Sequence, residues 1–356
     1  MKIMQIMPEF LFGGAEIMCE NLSYGLKELG QDVVVVSLYD LDTPITQRMK
    51  ANNIKVVSLQ KKKGLDLSII PKLRKLIKNE KPDVLHTHRY VTAYTVPAAL
   101  GLNIRQIHTL HSVAQKENGY LGKKLNKFFF HKCGVVPVAL SEIVKDTVVN
   151  VYNISAEKIP VVYNGIPLSN YSQKSTYDLS SPIRVLHIGR FTEAKNHNVL
   201  LQALRNVHEK NNDVVLTLVG DGELKIDIMN MIKDYNMESY VHCLGTLDNV
   251  NRVLNDSDIF LLPSVYEGMP MTLIEAMATG MPIIASRVGG IPNMVKDHFD
   301  ALLIEPEVDE LVDAIFKLIK QPDTRRYLGQ NAIESSAKFS SLAMAKGYLS
   351  LYHVKH

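Results

Sequence analysis

Cysteine is scarce in this chain and tryptophan is absent. The three cysteines, Cys19, Cys133 and Cys243, lie far apart and form no C-x-x-C pair. A disulfide framework and a cysteine-based zinc site need paired or clustered cysteines, so the sequence excludes both. We therefore expect a reduced, cytoplasmic protein.

Long apolar runs are also missing. No stretch of about 18 apolar residues occurs, so we expect no transmembrane helix. The apolar stretch after Lys2 ends at Pro8 and Glu9, which is too short for the hydrophobic region of a signal peptide. Low-complexity tracts are absent, and 46% apolar with 22% charged residues excludes wholesale disorder. A chain of 356 residues suits two α/β domains.

The small net charge of +3 conceals an asymmetry. Basic residues outnumber acidic ones in residues 1–170, and acidic residues outnumber basic ones in residues 171–356. Separate surfaces for different partners and ordinary variation in solvated side chains explain this equally well. We expect no nucleic-acid partner.

Short β-branched segments alternate with helical periodicity, which predicts parallel sheets with helices on both faces. The polar, Ser-rich segment 169–182 interrupts this alternation and is interpreted as a linker. We predict two Rossmann-like domains, over residues 1–168 and 183–340. A last helix at 341–356 could pack back on the first domain. The predicted strands are 2–7, 32–38, 54–59, 83–88, 105–110, 135–140, 183–189, 213–220, 240–245, 258–264, 282–286 and 301–306.

Ligands of such sheets bind beyond the carboxyl ends of the strands, where two cations follow one predicted strand. Gly189 ends the strand, Arg190 follows it, and Lys195 precedes a helix. Two cations in this loop can neutralise a diphosphate and stabilise charge on it as it departs. Ordinary surface cations remain the alternative.

The segment around Glu267 carries the strongest local pattern. Glu267 lies in a strand-end loop, Pro270 suits the first turn of a helix, and Gly280 ends that helix. Glu275 follows Glu267 by eight residues, so both carboxylates can accept hydrogen bonds from the hydroxyls of one ligand. The amides at the helix N-terminus would face a phosphate. Acids placed for the helix dipole would explain Glu275 but not the glycine-rich loop.

Gly13 and Gly14 lie between the first strand and a helix, where their backbone can approach an anion. A structural turn explains them equally well, and the missing G-x-G-x-x-G pattern excludes a dinucleotide fingerprint.

A metal site is not expected. His86 and His88, with His108 and His111 nearby, lack a cysteine or acid at ligand spacing, and we favour strand-end histidines that line a cleft. The D-S-D triplet at 256–258 follows a helix and precedes a buried strand, where capping and turn contacts account for it.

Two basic amphipathic segments, 61–81 and 120–132, raise the question of membrane contact. For the first we favour an ordinary helix that covers the sheet, with Leu67, Ile70, Leu73 and Ile77 on one face. For the second, which combines four lysines with Phe128–Phe130, both interpretations stay open.

Taken in order, these segments resemble the retaining glycosyltransferase family 4, also called group 1, which has the GT-B fold. The matching motifs span nearly the whole chain: GGAE, HTLHS, VVYNGIP, GRFTEAKN, LVGDGEL and YEGMPMTLIEAMATGMPIIAS. The resemblance implies an active site in a cleft between two Rossmann-like domains. It also implies transfer from a nucleoside-diphosphate sugar, UDP favoured over GDP. The acceptor would be a polysaccharide, a glycolipid or a lipid-linked glycan at the inner face of the cell membrane, and no metal cofactor is expected.

The resemblance also implies roles for individual residues. Glu275 would bind the ribose, Arg190 and Lys195 the diphosphate beside Gly189, and Glu267 the donor sugar. Supporting donor contacts would come from Gly268, from the amides of Met269 and Met271, from Gly13 and Gly14, and from His111 near the reacting centre. The residues expected to act in catalysis are Glu267, His111, Arg190 and Lys195.

Two positions depart from the family pattern. Pro270 replaces a common glycine and removes one N–H donor, and Tyr163 replaces a common proline. The resemblance also implies that the donor's anomeric configuration is retained. No acid stands out in the strand-end loops of the first domain, so we expect no covalent glycosyl-enzyme.

Other functions remain open at the level of sequence. A nucleotide-sugar epimerase would bind the same donor, and a non-catalytic protein could bind it without transfer. A nicotinamide dehydrogenase is the weakest alternative because the fingerprint is absent.

Overall fold

A computed structural model describes residues 1–11, 13–39, 42–117 and 119–353. The chain divides into two compact units, Met1–Pro167 with Ser340–His356, and Leu168–Phe339.

The first unit contains a six-stranded parallel sheet whose strand order is β3-β2-β1-β4-β5-β6. Apart from the edge strand β3, its strands are largely buried on both faces, as the alternation with helices predicted. The strands are β1 Lys2–Met7, β2 Asp32–Ser37, β3 Lys55–Ser58, β4 Val84–His88, β5 Arg105–Leu110 and β6 Val135–Ala139. The helices are α1 Gly14–Glu28, α2 Pro44–Ala51, α3 Ile69–Glu80, α4 Thr92–Ala99, α5 Ala114–Glu117, α6 Tyr120–Lys132 and α7 Glu142–Tyr152.

The second unit repeats the architecture with the order β12-β11-β10-β7-β8-β9. Its strands are β7 Ile183–Ile188, β8 Val214–Val219, β9 Val241–Cys243, β10 Ile259–Leu262, β11 Ile283–Ser286 and β12 Leu302–Ile304. Its helices are α8 His197–Lys210, α9 Lys225–Asp234, α10 Asn251–Asn255, α11 Met271–Thr279, α12 Ile291–Met294, α13 Val308–Lys320 and α14 Pro322–Ser336. Single 3₁₀ turns lie at Arg89–Val91, Ala156–Lys158, Leu168–Asn170, Glu193–Lys195 and Ala337–Phe339.

The last helix, α15 Ser341–Tyr352, lies against α1 in the first unit. A Cβ on Gly25 of α1 would overlap with the backbone carbonyl of Ser341, so only glycine allows this close approach. Residues 354–356 of the predicted terminal helix lie outside the described residues.

Residues 169–182, which the sequence suggested as a linker, are counted in the second unit. Tyr171 donates a hydrogen bond to Glu275, and the backbone N–H of Lys174 donates to the carbonyl of Thr279. These contacts use single polar groups rather than an apolar stripe, so the hydrophobic pattern gives no sign of them.

In both sheets the strand order reverses between the first and fourth strands of the unit, at β1 and β4 and at β7 and β10. Such reversal points leave a crevice beyond the carboxyl ends of the strands, where ligands of open α/β sheets bind.

Candidate active site

The reversal point of the second sheet gathers several residues predicted from the sequence. Gly189 and Arg190 follow β7, and Lys195 ends the 3₁₀ turn of the same loop. Glu267 and Gly268 lie in the loop after β10. The two loops are joined by a backbone hydrogen bond of 2.9 Å from Val265 N–H to the carbonyl of Ala194.

Lys195 and Glu267 form a largely buried ion pair across these loops, with 2.5 Å between Lys195 Nζ and Glu267 Oε1. The hydroxyl of Ser264 donates to the same oxygen at 2.8 Å. Breaking a buried pair leaves an uncompensated charge and is strongly destabilising. The pair therefore fixes the position of the Glu267 carboxylate.

Arg190 behaves differently from Lys195. Its side chain is exposed, and within the described part of the chain its guanidinium forms no hydrogen bond or ion pair. It has five N–H donors in a planar fork, which suits the oxygens of a phosphate.

A third loop, which follows β11, contacts the backbone of Glu267 and Gly268. The N–H of Gly290 donates to the carbonyl of Glu267 at 2.9 Å, and a Cβ on Gly290 would overlap with the carbonyl of Gly268. Gly289 has a φ of +54° and lies equally close to the backbone of Glu267. The glycine pair after β11 was visible in the sequence but was not recognised as part of the site.

Glu275 lies on α11, just over one turn from its start, and the hydroxyl of Tyr171 donates to it at 3.0 Å. Burial raises the pKa of the Glu275 carboxyl to about 7. The helix begins at Met271, one residue after Pro270, and ends at Gly280 with a φ of +72°, as predicted. The N–H groups of its first turn have no acceptor within the helix and point out of its end.

In the first unit, Gly13 precedes α1 and Gly14 begins it, and no side chain caps this helix end. The carboxylate of Glu16, in the first turn, is buried and pairs with Arg89 at 2.7 Å. Arg89 follows β4 and has a φ of +57°, an unfavourable backbone conformation for a long side chain. This ion pair spans the reversal point of the first sheet, and it was not predicted from the sequence.

His111 follows β5 and contacts another histidine. Its Nε2 lies 3.0 Å from Nδ1 of His88, and Nε2 of His88 lies 3.2 Å from Oε1 of Gln5. His88 is fully buried, and burial lowers the pKa of its ring well below the usual value and that of His111 to about 3. Both rings are therefore neutral near pH 7.

The other histidines also have protein partners. His86 contacts the hydroxyls of Tyr352 and Thr109, both at 2.7 Å, and Thr87 contacts His108 at 3.0 Å. His86 and His108 are fully buried, so the expectation that they line a cleft was wrong, and these contacts place them within the fold of the first unit.

The expectation that no acid stands out after the strands of the first domain was wrong. Glu16 lies after β1, and Glu117 lies in α5 after β5. Burial raises the pKa of Glu117 to about 7, and its Oε1 is buried with no hydrogen-bond partner among the described residues. Glu16 is committed to Arg89, and Glu117 is partly protonated near pH 7, so neither is a free, fully ionised carboxylate.

Asp258 of the D-S-D triplet accepts three hydrogen bonds. Its donors are the backbone N–H of Ser180, the hydroxyl of Ser180 at 2.5 Å and the backbone N–H of Arg184 at 2.8 Å. Asp256 caps the C-terminus of α10. Both aspartates thus have structural roles at the start of β7 and the end of α10.

Comparison with known proteins identifies the family. The model described as Glycosyltransferase Family 4 matches residues 12–170, and the model described as Glycosyl transferases group 1 matches residues 173–335. An Escherichia coli protein, UDP-Gal:alpha-D-GlcNAc-diphosphoundecaprenol alpha-1,3-galactosyltransferase, is 31% identical over 71% of this chain and 70% of its own length. The N-acetyl-alpha-D-glucosaminyl L-malate synthase of Bacillus anthracis is 28% identical over 81% and 79%.

Solved structures show the same fold. A glycosyltransferase from Rickettsia africae ESF-5 matches with a TM-score of 0.84 and 20% identity, over 99% of this chain and 97% of that one. Anabaena Alr3699/HepE in complex with UDP-glucose matches with a TM-score of 0.83 and 18% identity, over 99% and 100%. The predicted GT-B fold is confirmed. The matching families and relatives are glycosyltransferases, which favours sugar transfer over the epimerase, binding-protein and dehydrogenase alternatives. The chain belongs to glycosyltransferase family 4, the group 1 glycosyltransferases, and is a hexosyltransferase-type enzyme.

Proposed function

We propose that this enzyme transfers a hexose from a UDP-sugar to a lipid-linked glycan acceptor, with retention of the anomeric configuration and without a metal ion. One observation carries the donor assignment. At the reversal point of the second sheet, the exposed Arg190 lies in the same loop as the Lys195 partner of the buried Glu267. Such a site offers a cation to a diphosphate and a fixed carboxylate to sugar hydroxyls.

The donor roles follow from these contacts. Arg190 and the amides at the start of α11, near Met269 and Met271, bind the diphosphate, with Gly189 giving backbone access. Lys195 contributes charge and holds Glu267. Both recorded donors to Glu267 bind Oε1, which leaves Oε2 to accept a hydroxyl of the donor sugar.

The remaining roles are the ribose contact and the substrate contacts made by the first unit. Glu275 accepts hydrogen bonds from the ribose hydroxyls once the nucleotide is bound. In the first unit, Gly13 and Gly14 bring backbone amides to an anionic part of the substrate at the uncapped end of α1. His111 contacts a sugar hydroxyl near the reacting centre.

The names of related proteins support the choice of donor and acceptor. The Escherichia coli relative is named for UDP-Gal and a diphosphoundecaprenol acceptor. A Campylobacter jejuni relative, 27% identical over 65% of this chain, is named for a diphospho-undecaprenol acceptor. The Anabaena structure contains UDP-glucose. UDP and a lipid-linked diphosphate are therefore the favoured substrates.

We propose that the acceptor attacks the anomeric carbon from the same face that the diphosphate leaves, which gives retention. The bond from the acceptor oxygen to the anomeric carbon forms as the bond to the diphosphate breaks, and the acceptor proton passes to a phosphate oxygen. Arg190 and the amides of α11 balance the charge that develops there, so the reaction needs no divalent ion. Since Glu16 is ion-paired and burial raises the pKa of Glu117 to about 7, we assign neither carboxylate as a nucleophile.

We also propose that α6 docks the first unit on an anionic membrane. Leu121, Leu125 and Phe128 recur at spacings of four and three residues and are 74%, 44% and 56% exposed. Exposed lysines flank this stripe, among them Lys124 and Lys127. Apolar residues ringed by lysines suit a bilayer surface with anionic headgroups.

The first basic segment has no comparable face. In α3, Ile69, Leu73 and Ile77 are buried against the sheet, which agrees with the favoured expectation of a sheet-covering helix. Among the described residues no helix is long and apolar enough to cross a membrane.

The variants Arg190→Ala and Lys195→Ala should weaken UDP binding for different reasons. Loss of a charge-assisted hydrogen bond costs about 1.5–3 kcal/mol, so Arg190→Ala should raise the Kd for UDP roughly 10- to 100-fold with an unchanged Tm. Lys195→Ala should also lower the Tm, since it strands the buried Glu267 charge. Calorimetry in EDTA and thermal unfolding measure both effects. Arg205→Ala, in an exposed pair with Glu209, is the control. Unchanged UDP affinity in Arg190→Ala would contradict the diphosphate role.

Glu275→Gln should stabilise the protein at alkaline pH while it weakens nucleotide binding. The pKa of Glu275 is about 7 in the folded protein against an ordinary 4.5. The free energy of unfolding therefore falls as pH rises through this interval, because the buried carboxyl must ionise. The neutral variant should melt roughly 2–4 °C above the wild type at pH 8, and most of this gain should disappear at pH 5. Its Kd for UDP should rise roughly tenfold. Thermal unfolding and calorimetry test this, with exposed Glu238→Gln as the control. Wild-type UDP affinity in Glu275→Gln would remove the ribose assignment.

The anomeric outcome tests the reaction itself. NMR of the product formed from a UDP-hexose and a polyprenyl-diphosphate glycan should show the configuration of the donor. Intact-protein mass spectrometry with UDP-sugar and a slow acceptor should show no added hexose, and EDTA should leave the rate unchanged. An inverted product, a sugar ester on a glutamate, or activity lost in EDTA and restored by Mg²⁺ would each refute part of the proposal.

The triple variant Leu121→Ser, Leu125→Ser and Phe128→Ser should lose binding to phosphatidylglycerol-rich vesicles. Each lysine near such a surface contributes about 1 kcal/mol, so wild-type binding should also fall as salt rises. Vesicle sedimentation measures both effects, with pure phosphatidylcholine vesicles for comparison. The double variant Ile226→Ser and Met229→Ser removes exposed apolar residues of α9 and should bind like the wild type. Equal binding by the triple variant and the wild type would rule out α6 as the docking face.

A further inference from the structure

A continuous chain of hydrogen bonds runs through the first unit from α1 to His111. Ser23 Oγ donates to the carbonyl of Cys19 at 2.8 Å, and Gln5 Nε2 lies 2.6 Å from Ser23 Oγ. Gln5 Oε1 lies 3.2 Å from His88 Nε2, and His88 Nδ1 lies 3.0 Å from His111 Nε2. We call this series of bonds, which links Gln5, His88 and His111, the hydrogen-bond chain.

The carbonyl of Cys19 sets the direction of every bond in this chain. It carries no hydrogen, so Ser23 must donate to it and is left to accept from Gln5. The amide nitrogen of Gln5 therefore faces Ser23, and lies 3.4 Å from the same carbonyl, which would repel an oxygen. Burial raises the pKa of the Cys19 thiol, which stays protonated and donates to Gln5 Oε1 at 3.3 Å.

The orientation of Gln5 then fixes both rings. Because Gln5 offers only an oxygen to His88, Nε2 of His88 must carry the hydrogen. In a neutral imidazole the other nitrogen, Nδ1, then has the lone pair and can only accept. His111 must donate to it from Nε2, and the remaining nitrogen of His111, Nδ1, is left as an acceptor.

Packing holds the middle of the hydrogen-bond chain, Gln5 and His88, in place. His88 and Gln5 are fully buried, and the ring of His86 lies against His88 with 4.3 Å between centroids. The His86 ring is itself held by Tyr352 and Thr109. Neither the amide nor the His88 ring can turn over without leaving a buried polar group unpaired, which costs about 1–3 kcal/mol.

We propose that Gln5 and His88 are positioning residues that lock His111 in the tautomer with a hydrogen on Nε2, so that its Nδ1 accepts a hydrogen bond from a substrate hydroxyl. This inference rests on the proposed function, in which His111 contacts a sugar. It adds a specificity: at this contact the enzyme selects a group that carries a hydrogen, and a sugar lacking that hydroxyl leaves Nδ1 without a donor.

The tautomer can be measured without any substrate. Long-range ¹H–¹⁵N NMR of the full chain labelled at histidine distinguishes protonated from unprotonated ring nitrogens. The His111 resonances are assigned by their loss in His111→Gln. We expect a protonated Nε2 and an unprotonated Nδ1 in the wild type. A protonated Nδ1 overturns the proposal, whatever the enzyme transfers.

Variants of Gln5 test the positioning role. Gln5→Leu removes the acceptor for His88, and should give a mixture of His111 tautomers and a kcat roughly tenfold lower. Thr87→Val removes a buried hydroxyl from β4, the strand that carries His88. This hydroxyl contacts His108 and not His88, so the variant should leave tautomer and kcat unchanged. An unchanged His111 tautomer in a folded Gln5→Leu protein would also refute the proposal.

The NMR measurement tests the hydrogen-bond chain and the transfer assay tests the proposed function, so each hypothesis can be refuted without the other. If no UDP-hexose is consumed by the wild type, the proposed function is wrong while the measured tautomer still decides the hydrogen-bond chain. If the Gln5→Leu tautomers mix but kcat is unchanged, the chain exists and His111 does not contact the reacting sugar, which overturns the positioning role.

Discussion

The ion pair between Lys195 and Glu267 is the contact on which the second unit's site depends. It joins the loops that leave β7 and β10, the two strands at which the order of the sheet reverses. A carboxylate in this position would be costly to bury alone, and a free lysine would be a mobile charge. In the proposed function they give a fixed acceptor for hydroxyls, and the diphosphate is left to Arg190 and the amides of α11. The two cations that look equivalent in the sequence differ in the structure, since Lys195 is ion-paired and Arg190 is exposed.

The two units show how one architecture can support two kinds of chemistry. Each has an ion pair across its reversal point, Arg89 with Glu16 in the first and Lys195 with Glu267 in the second. Beyond these pairs the surroundings differ. The first sheet ends in neutral, buried histidines, which suit hydroxyl groups, whereas the second adds the exposed Arg190, which suits phosphate.

Much of the fold was readable from the sequence, because hydrophobic period and strand composition are local properties. The predicted strands lie where the structure has them, and Gly280 ends α11 as expected. Pairings between distant residues were not readable. Lys195 and Glu267 lie 72 positions apart, and no local pattern shows that they meet. The order of the motifs placed them in one site, but only the geometry shows that they are bonded to each other.

One missed residue did leave a trace in the sequence. Gln5 is a polar residue in the middle of the buried strand β1, where an unpaired amide would be costly. Such a residue implies a partner, although the sequence cannot say which one. The partners are Ser23 and Cys19 on α1 and His88 on β4, from two separate parts of the chain. A buried polar residue in an apolar strand thus indicates a network before any of its other members can be named.

The terminal helix α15 extends this reasoning from single residues to a whole element. Tyr348 and Tyr352 are buried against the first sheet, where their hydroxyls contact Thr109 and His86. Without them both nitrogens of His86 could not be paired, and His86 is the ring that packs on His88. The helix therefore does more than cover an apolar surface. It completes the polar interior that holds His111, so the last element of the chain and its first strand support the same histidine.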